Sequence, residues 1–198
     1  MAQKGLLVVI SSPSGGGKST IIRKILSEGD PRYRYSISAT TRAKRPNEQD
    51  GIDYWFVDES GFEEMIRKDE LVEFERVHGH LYGTPVKPIE KWLQEGRIVF
   101  FDIDVMGAFA VQRRFPQQTL MIFIAPPDLE TLKQRLVGRG TEASEAVRIR
   151  LQRVPMEMEM AKRFEFTVIN RDLSRSVARV KRIIAGRLDE RHDGVKKY

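Results

Sequence analysis

Residues 11–20 read SSPSGGGKST, directly after the apolar run GLLVVI. Three glycines followed by lysine and serine suit one kind of chemistry, the gripping of a polyphosphate. Gly15, Gly16 and Gly17 permit positive φ and let backbone come close to a ligand. The N–H groups from Ser14 to Ser19 can then turn inward at phosphate oxygens, with the positive end of a following helix behind them. Lys18 reaches the β- and γ-phosphates of a bound nucleotide, the Ser19 hydroxyl reaches a divalent cation, and Thr20 follows in the same turn. The pattern G-x-x-x-x-G-K-[ST] has one departure here: Ser12 stands where the first glycine belongs. That glycine helps the chain turn out of the strand, so serine costs on the order of 1 kcal/mol if position 12 needs positive φ and almost nothing otherwise.

Cations gather elsewhere too. Arg42 and Arg45 lie in TTRAKR, and Arg135, Arg139 and Arg150 bracket the glycine-interrupted polar segment GRGTEASEA. Guanidinium forks pair bidentately with phosphate. Asp102, ending the run FFD, stands where an aspartate orients metal or water in enzymes with such a loop, directly or through water. A phosphate loop alone says only that a nucleotide binds. The tetrapeptide N-K-x-D that would read guanine in a GTPase is absent.

The loop needs a strand before it and a helix after it, and the pattern supplies both. GLLVVIS (5–11) is a continuous apolar run, the mark of a strand buried on both faces, and STIIRKILSE reads as a helix with apolar residues at 21, 22, 25 and 26. RIVFFDID (97–104), TLMIFIAPP (119–127) and FTVIN (166–170) are further buried strands. Helices are expected over 85–95, over DLETLKQRLVGRG with Leu129, Leu132 and Leu136 on one face, and after 172 with Leu173, Val177, Val180, Ile184 and Leu188 as a core stripe. Buried strands alternating with amphipathic helices predict an α/β fold, a parallel sheet flanked by helices. From about 35 to 84 the character changes. YSIS, DYWFV and ELVEFERVHG look like small strands around the turn-rich KRPNEQDG, an inserted lobe with little core of its own.

The bulk numbers narrow the classes. At 198 residues and 40% hydrophobic content the chain suits one globular domain with inserted lobes. Without cysteine it has neither disulfides nor a thiolate metal site, which fits a reducing cytoplasm. No apolar run approaches the ~18–20 residues that cross a bilayer, and the N-terminus lacks the form of a signal peptide. A net charge of +6 favours anionic partners.

The segments TTRAKRPNEQDGIDY, ELVEFERVHGHLYGTP, FFDIDVMG, IFIAPP and LVGRGTEASEAVRIRL, in this order after the glycine loop, resemble guanylate kinases, which move a phosphoryl group from ATP to GMP. The resemblance implies a P-loop NTPase fold with core at 1–34, 88–137 and 151–198, a GMP-binding lobe at 35–87 and a helical lid at 138–150. It implies that Arg42, Arg45, Tyr54 and Tyr82 hold the GMP phosphate. Glu73 would face the guanine N1–H and N2 amino group, Asp104 a further N2 hydrogen, and the Ser38 and Thr84 hydroxyls O6. Adenine, with an acceptor at N1 and a donor at N6, would leave that set unpaired. Thr84 departs from the serine associated with its position but keeps the hydroxyl. On the ATP side the resemblance implies Ser14 to Thr20, Arg139 and Asn170, the last at the adenine. Lys18, Arg42, Arg135, Arg139, Arg150 and Asp102 would be catalytic, with Mg²⁺ at Ser19. Transfer would be direct and in line, without a phosphoenzyme. ATP and GMP are the implied partners, with no nucleic acid and no membrane; oligomeric state stays open.

Three other readings compete. Scaffold-protein domains of this kind bind phosphopeptides, but their phosphate loops are usually degraded, whereas Lys18 and Ser19 are intact here and the chain ends with the domain. A kinase acting on a sugar phosphate would need no donor-reading set such as Glu73, Asp104, Ser38 and Thr84. Nucleic-acid binding has only charge behind it, with no stacking aromatics in a basic groove.

Overall fold

The computed structural model describes residues 5–77, 79–137 and 144–195. Its centre is a five-stranded sheet in the order β2-β7-β1-β8-β9, parallel where β2 meets β7 and β8 meets β9. β1 (Leu6–Ser11) and β8 (Thr119–Ala125) are buried at every residue, which is why both read as unbroken apolar runs. β7 (Ile98–Asp102) is buried up to Phe101 and leaves Asp102 part-exposed at its end. β2 is Tyr33–Tyr35, and β9 (Phe166–Ile169) is an edge strand that alternates, with Val168 buried and Ile169 exposed.

A second sheet, in the order β4-β3-β6-β5, is built from β3 (Ala39–Thr40), β4 (Trp55–Phe56), β5 (Leu71–Val77) and β6 (His80–Pro85). Two expectations change in this part of the chain. The strand expected at YSIS lies two residues earlier and belongs to the five-stranded sheet, where Tyr33 packs edge-on against Phe100 with ring centroids 5.1 Å apart. The lobe also has a small core of its own: Phe62 is fully buried with Ala39, Leu71 and Leu81, and Val57, Met65 and Ile66 pack against them. Phe62, Met65 and Ile66 come from α2 (Glu59–Arg67), a helix that Gly61 hides from the pattern and the Asp58 side chain caps through the Gly61 N–H.

The remaining helices are α1 (Lys18–Leu26), α3 (Val86–Gln94), α4 (Val105–Arg114), α5 (Leu129–Val137), α6 (Ser144–Ala161) and α7 (Leu173–Val195). Ile21, Ile22 and Ile25 of α1 are fully buried. Leu132 and Leu136 of α5 pack with Val154 of α6, whereas Leu129, expected on the same face, is exposed in the first turn. Val177, Val180 and Ile184 of α7 are core, and Leu173 at its start is exposed. The chain forms two compact units. One holds the start to Leu7, Pro31–Phe101 and Phe109–Thr119; the other holds Val8–Asp30, Asp102–Ala108 and Leu120 onward.

Candidate functional site

Within the second unit the glycine loop runs between β1 and α1. Gly15 and Gly17 have φ of +84° and +97°, where side chains are strained, so this backbone selects glycine. Ser12 does not adopt positive φ, the feature that would have made serine costly there. It is buried, its hydroxyl donates to the Pro13 carbonyl (2.9 Å), and its Cβ lies 2.8 Å from where a Gly16 Cβ would stand. Serine at 12 and glycine at 16 therefore fit as a pair.

Gly17 is the N-cap of α1 and, being glycine, makes no side-chain cap bond, and the first turn carries no acidic residue. Uncapped amides and the helix dipole make this end a natural anion site. Ser19 is part-buried there and Thr20 exposed. Lys18 Nζ lies 3.0 Å from Asp102 Oδ1, joining the loop lysine to the end of β7. Arg150 on α6 donates to the Ser14 hydroxyl at 3.1 Å. Arg135 on α5 donates from Nη2 to the Asn170 carbonyl at 3.0 Å, and its buried Nη1 has no hydrogen-bond acceptor among the described residues. Arg139 lies outside the described residues.

Asn170 follows β9 and is buried. Its Nδ2 donates to the Gly16 carbonyl (3.0 Å), and its Oδ1 accepts from the Ser176 hydroxyl (2.9 Å). Asp104 also belongs to this unit. Its Oδ1 caps α4 by accepting the Gly107 N–H (2.8 Å), and its Oδ2 is 3.6 Å from Arg153. Beside them Glu157 of α6 is buried with Oε2 unpartnered among the described residues. Burial pushes its carboxyl above the ordinary range, Arg153 opposes, Asp104 adds, and Lys18 opposes weakly. No group of three or more acidic or histidine side chains that could hold a metal alone occurs among the described residues. That suits Mg²⁺ carried mostly by phosphate oxygens and water, with Ser19 and Asp102 as the residues at hand.

The other candidates assemble in the first unit. Arg42 donates to both Glu48 oxygens (2.7 and 3.0 Å) and to the Ala43 carbonyl (2.7 Å), with its guanidinium 5.5 Å above the Tyr54 ring. The hydrogen bond to Glu48 raises the Arg42 pKa, burial works against this, and a hydrogen bond with Tyr82 adds to it. In return Arg42, and then the Arg45 N–H at 2.9 Å, hold the Glu48 carboxyl below its ordinary value. Tyr54 and Tyr82 pack edge to face with centroids 5.9 Å apart. Arg42 and the two phenols thus lie together, and guanidinium and phenol donors of this kind suit a phosphate group. Glu48, which lies inside KRPNEQDG and carries no motif signal, holds the Arg42 guanidinium and the Arg45 backbone N–H.

Glu73 reaches its place through a bulge. Leu71 pairs with Pro85 and Phe74 with Gly83, so β5 carries one more residue than β6 in between. The extra residue aims Glu73 at Thr84, which is buried on β6 and donates its hydroxyl to Glu73 Oε1 at 2.6 Å. Gly83 is required beside it, because a Cβ there would stand 2.8 Å from the Glu73 carbonyl. The Ser38 carbonyl accepts the Trp55 N–H (2.9 Å) where β3 and β4 pair, leaving its part-buried hydroxyl on that strand.

Comparison with known proteins agrees with this geometry. Residues 4–187 match the family model described as guanylate kinase. Guanylate kinase from Bacillus cereus strain ATCC 14579 is 43% identical over 197 residues, covering 100% of this chain and 96% of that protein. Guanylate kinase from Streptococcus thermophilus strain CNRZ 1066 is 41% identical over 93% of this chain and 88% of its own. The crystal structure of guanylate kinase from Anaplasma phagocytophilum superposes with a TM-score of 0.76 at 28% identity, covering 95% of this chain and 88% of that one.

Proposed function

Because the chain belongs to the guanylate kinase family and phosphorylates GMP to GDP with ATP, we propose that its two constellations divide the substrates between them. The glycine loop, Lys18, Ser19, Thr20, Arg135, Arg139 and Arg150 serve ATP. Ser38, Arg42, Arg45, Tyr54, Glu73, Tyr82 and Thr84, with Asp104, serve GMP. In this reading residues 35–87 are the GMP lobe, 138–150 the lid, and the rest the P-loop core.

The observation that carries the reading is the Glu73–Thr84 pair. Glu73 is an acceptor-only carboxylate, so the N1–H and N2 donors of guanine can replace or share the Thr84 hydrogen. A freed Thr84 hydroxyl can turn to O6. Adenine offers an acceptor where guanine offers N1–H, leaving two acceptors opposed and the carboxylate unsatisfied.

Transfer needs alignment and charge stabilisation more than covalent help. A GMP phosphate oxygen attacks the γ-phosphorus while the bond to the β,γ-bridging oxygen breaks, and the electron pair leaves with ADP. Arg42, held cationic by Glu48, keeps the acceptor phosphate oriented. The α1 amides and Lys18 take up charge on the donor, and Lys18 must leave Asp102 to do so. Arg135 Nη1, without an acceptor among the described residues, offers a further donor, and lid closure would exclude the water that competes with GMP. Mg²⁺, carried in with ATP, supplies charge neutralisation at the phosphates, and Ser19 and Asp102 would hold it. No helix among the described residues is long and apolar enough to cross a membrane; we place the reaction in the cytoplasm, with no nucleic-acid partner.

Replacing Lys18 with alanine should cut kcat by about 10²–10³ and leave GMP affinity within about twofold. A variant that keeps wild-type kcat contradicts the donor role. Ping-pong kinetics, or a trapped phosphoenzyme, would overturn direct transfer.

A further inference from the structure

We propose that Asn170 is a positioning residue for the phosphoryl donor, fixing the peptide between Gly16 and Gly17 through its side-chain amide. The proposal rests on the reading of the glycine loop as the ATP site.

An asparagine ending a strand ordinarily makes local turn contacts. Asn170 instead reaches 154 positions back along the chain. Its backbone continues the sheet, with its N–H donating to Ala125 O at 2.8 Å, while the side chain lies buried against the loop. Three observations give the amide one orientation and one task. Ser176, itself buried, donates its hydroxyl to Oδ1, so both ends of the amide are partnered, and the acceptor-only Gly16 carbonyl sets which end is NH₂. That NH₂ donates to the Gly16 carbonyl. And Nδ2 lies 2.4 Å from where a Gly17 Cβ would stand, so the contact exists only because residue 17 is glycine.

The consequence follows from peptide planarity. In a trans peptide the C=O and N–H point in opposite directions. Holding the Gly16 carbonyl toward Asn170 therefore aims the Gly17 N–H away from Asn170, at the start of α1. Without the clamp, glycines on both sides leave this peptide free to turn over, since both accept either sign of φ. Asn170 reaches a second candidate as well, because its carbonyl accepts Arg135 Nη2. One residue thus sets a loop amide and the position of Arg135.

Two variants separate positioning from bulk stability. Asn170→Asp keeps the shape but puts a carboxylate oxygen 3.0 Å from the Gly16 carbonyl in place of a donor. We expect the ATP KM to rise about tenfold or more, with GMP KM within about twofold. Protonation returns a donor to the introduced carboxyl. The variant-to-wild-type ratio of ATP KM should therefore shrink between about pH 8 and about pH 5.5. Ser176→Ala removes one of the amide's two anchors, loosening it against the loop, and should raise ATP KM about three- to fivefold. It decides the matter if Asn170→Asp fails to fold. Folded variants with unchanged ATP KM, or with both KM values rising together and no pH recovery, overturn the proposal. Lys18→Ala is measured in parallel. If it leaves turnover intact, the ATP reading of the loop falls; if it abolishes turnover while the clamp variants change nothing, only the clamp falls.

Discussion

Gly17→Ala perturbs two things at once, and the structure lets them be separated. Residue 17 sits at φ +97°, where an L side chain costs about 1–2 kcal/mol. The new methyl would also stand 2.4 Å from Asn170 Nδ2, which must then move and give up its buried bond to Gly16 O. Losing that bond costs about 1–3 kcal/mol, so the total is about 2–5 kcal/mol. Gly29 is the internal control: its φ is +75°, but nothing lies within 4 Å of its Cβ position. Gly29→Ala should therefore cost only the strain, about 1–2 kcal/mol. Scanning calorimetry of both variants should show a gap of about 2–12 °C in Tm for a chain of this size. Gly17→Ala alone should also raise ATP KM. Equal Tm losses in the two variants would refute the contact with Asn170 as an energetic term.

Ser12→Gly should change activity by less than about tenfold, because Ser12 does not use positive φ; a gain of several hundredfold would mean that the loop is impaired. Gly16→Ala should be far more damaging in the wild-type background than in Ser12→Gly, since the Ser12 Cβ is its nearest clash; additive losses in a double-mutant cycle would contradict this. Glu157 carries a pKa raised by burial above its ordinary 4.5. Between 4.5 and that raised value the folded chain holds more protons than the unfolded one, so stability falls as pH rises through the window. Glu157→Gln should be the more stable protein at neutral pH, with the gap closing below pH 4.5; urea unfolding at both ends checks it, and a pH-independent gap would count against it.

The parts legible in the sequence are those where one local rule governs. GLLVVIS is apolar almost throughout because β1 is buried on both faces, and after it Gly15 and Gly17 mark a backbone that needs positive φ. Arg42, Tyr54 and Tyr82 are named by the resemblance and lie in contact with one another, with Glu48 on the Arg42 guanidinium. The rest depends on pairings the chain cannot announce. Glu73 meets Thr84 only through a bulge, and the pattern LVEF shows no sign of which residue is extra. Asn170 looked like an adenine contact or a turn residue, while its side chain lies on the loop, because β9 sits beside β8 in a strand order no periodicity encodes. α2 gives little signal because Gly61 interrupts it, and helical spacing does not say that Leu129 and Leu173, each in a first turn, stay exposed.

The central claim is that Glu73 makes this a guanine enzyme. The direct measurement is a panel of GMP, dGMP, AMP, CMP and UMP with ATP, run on the wild type and on Glu73→Gln. The wild type should prefer GMP over AMP by about 10⁴ in kcat/KM. Glu73→Gln should raise GMP KM and reduce that preference by at least about tenfold. An unchanged GMP-to-AMP ratio in the variant would contradict the account.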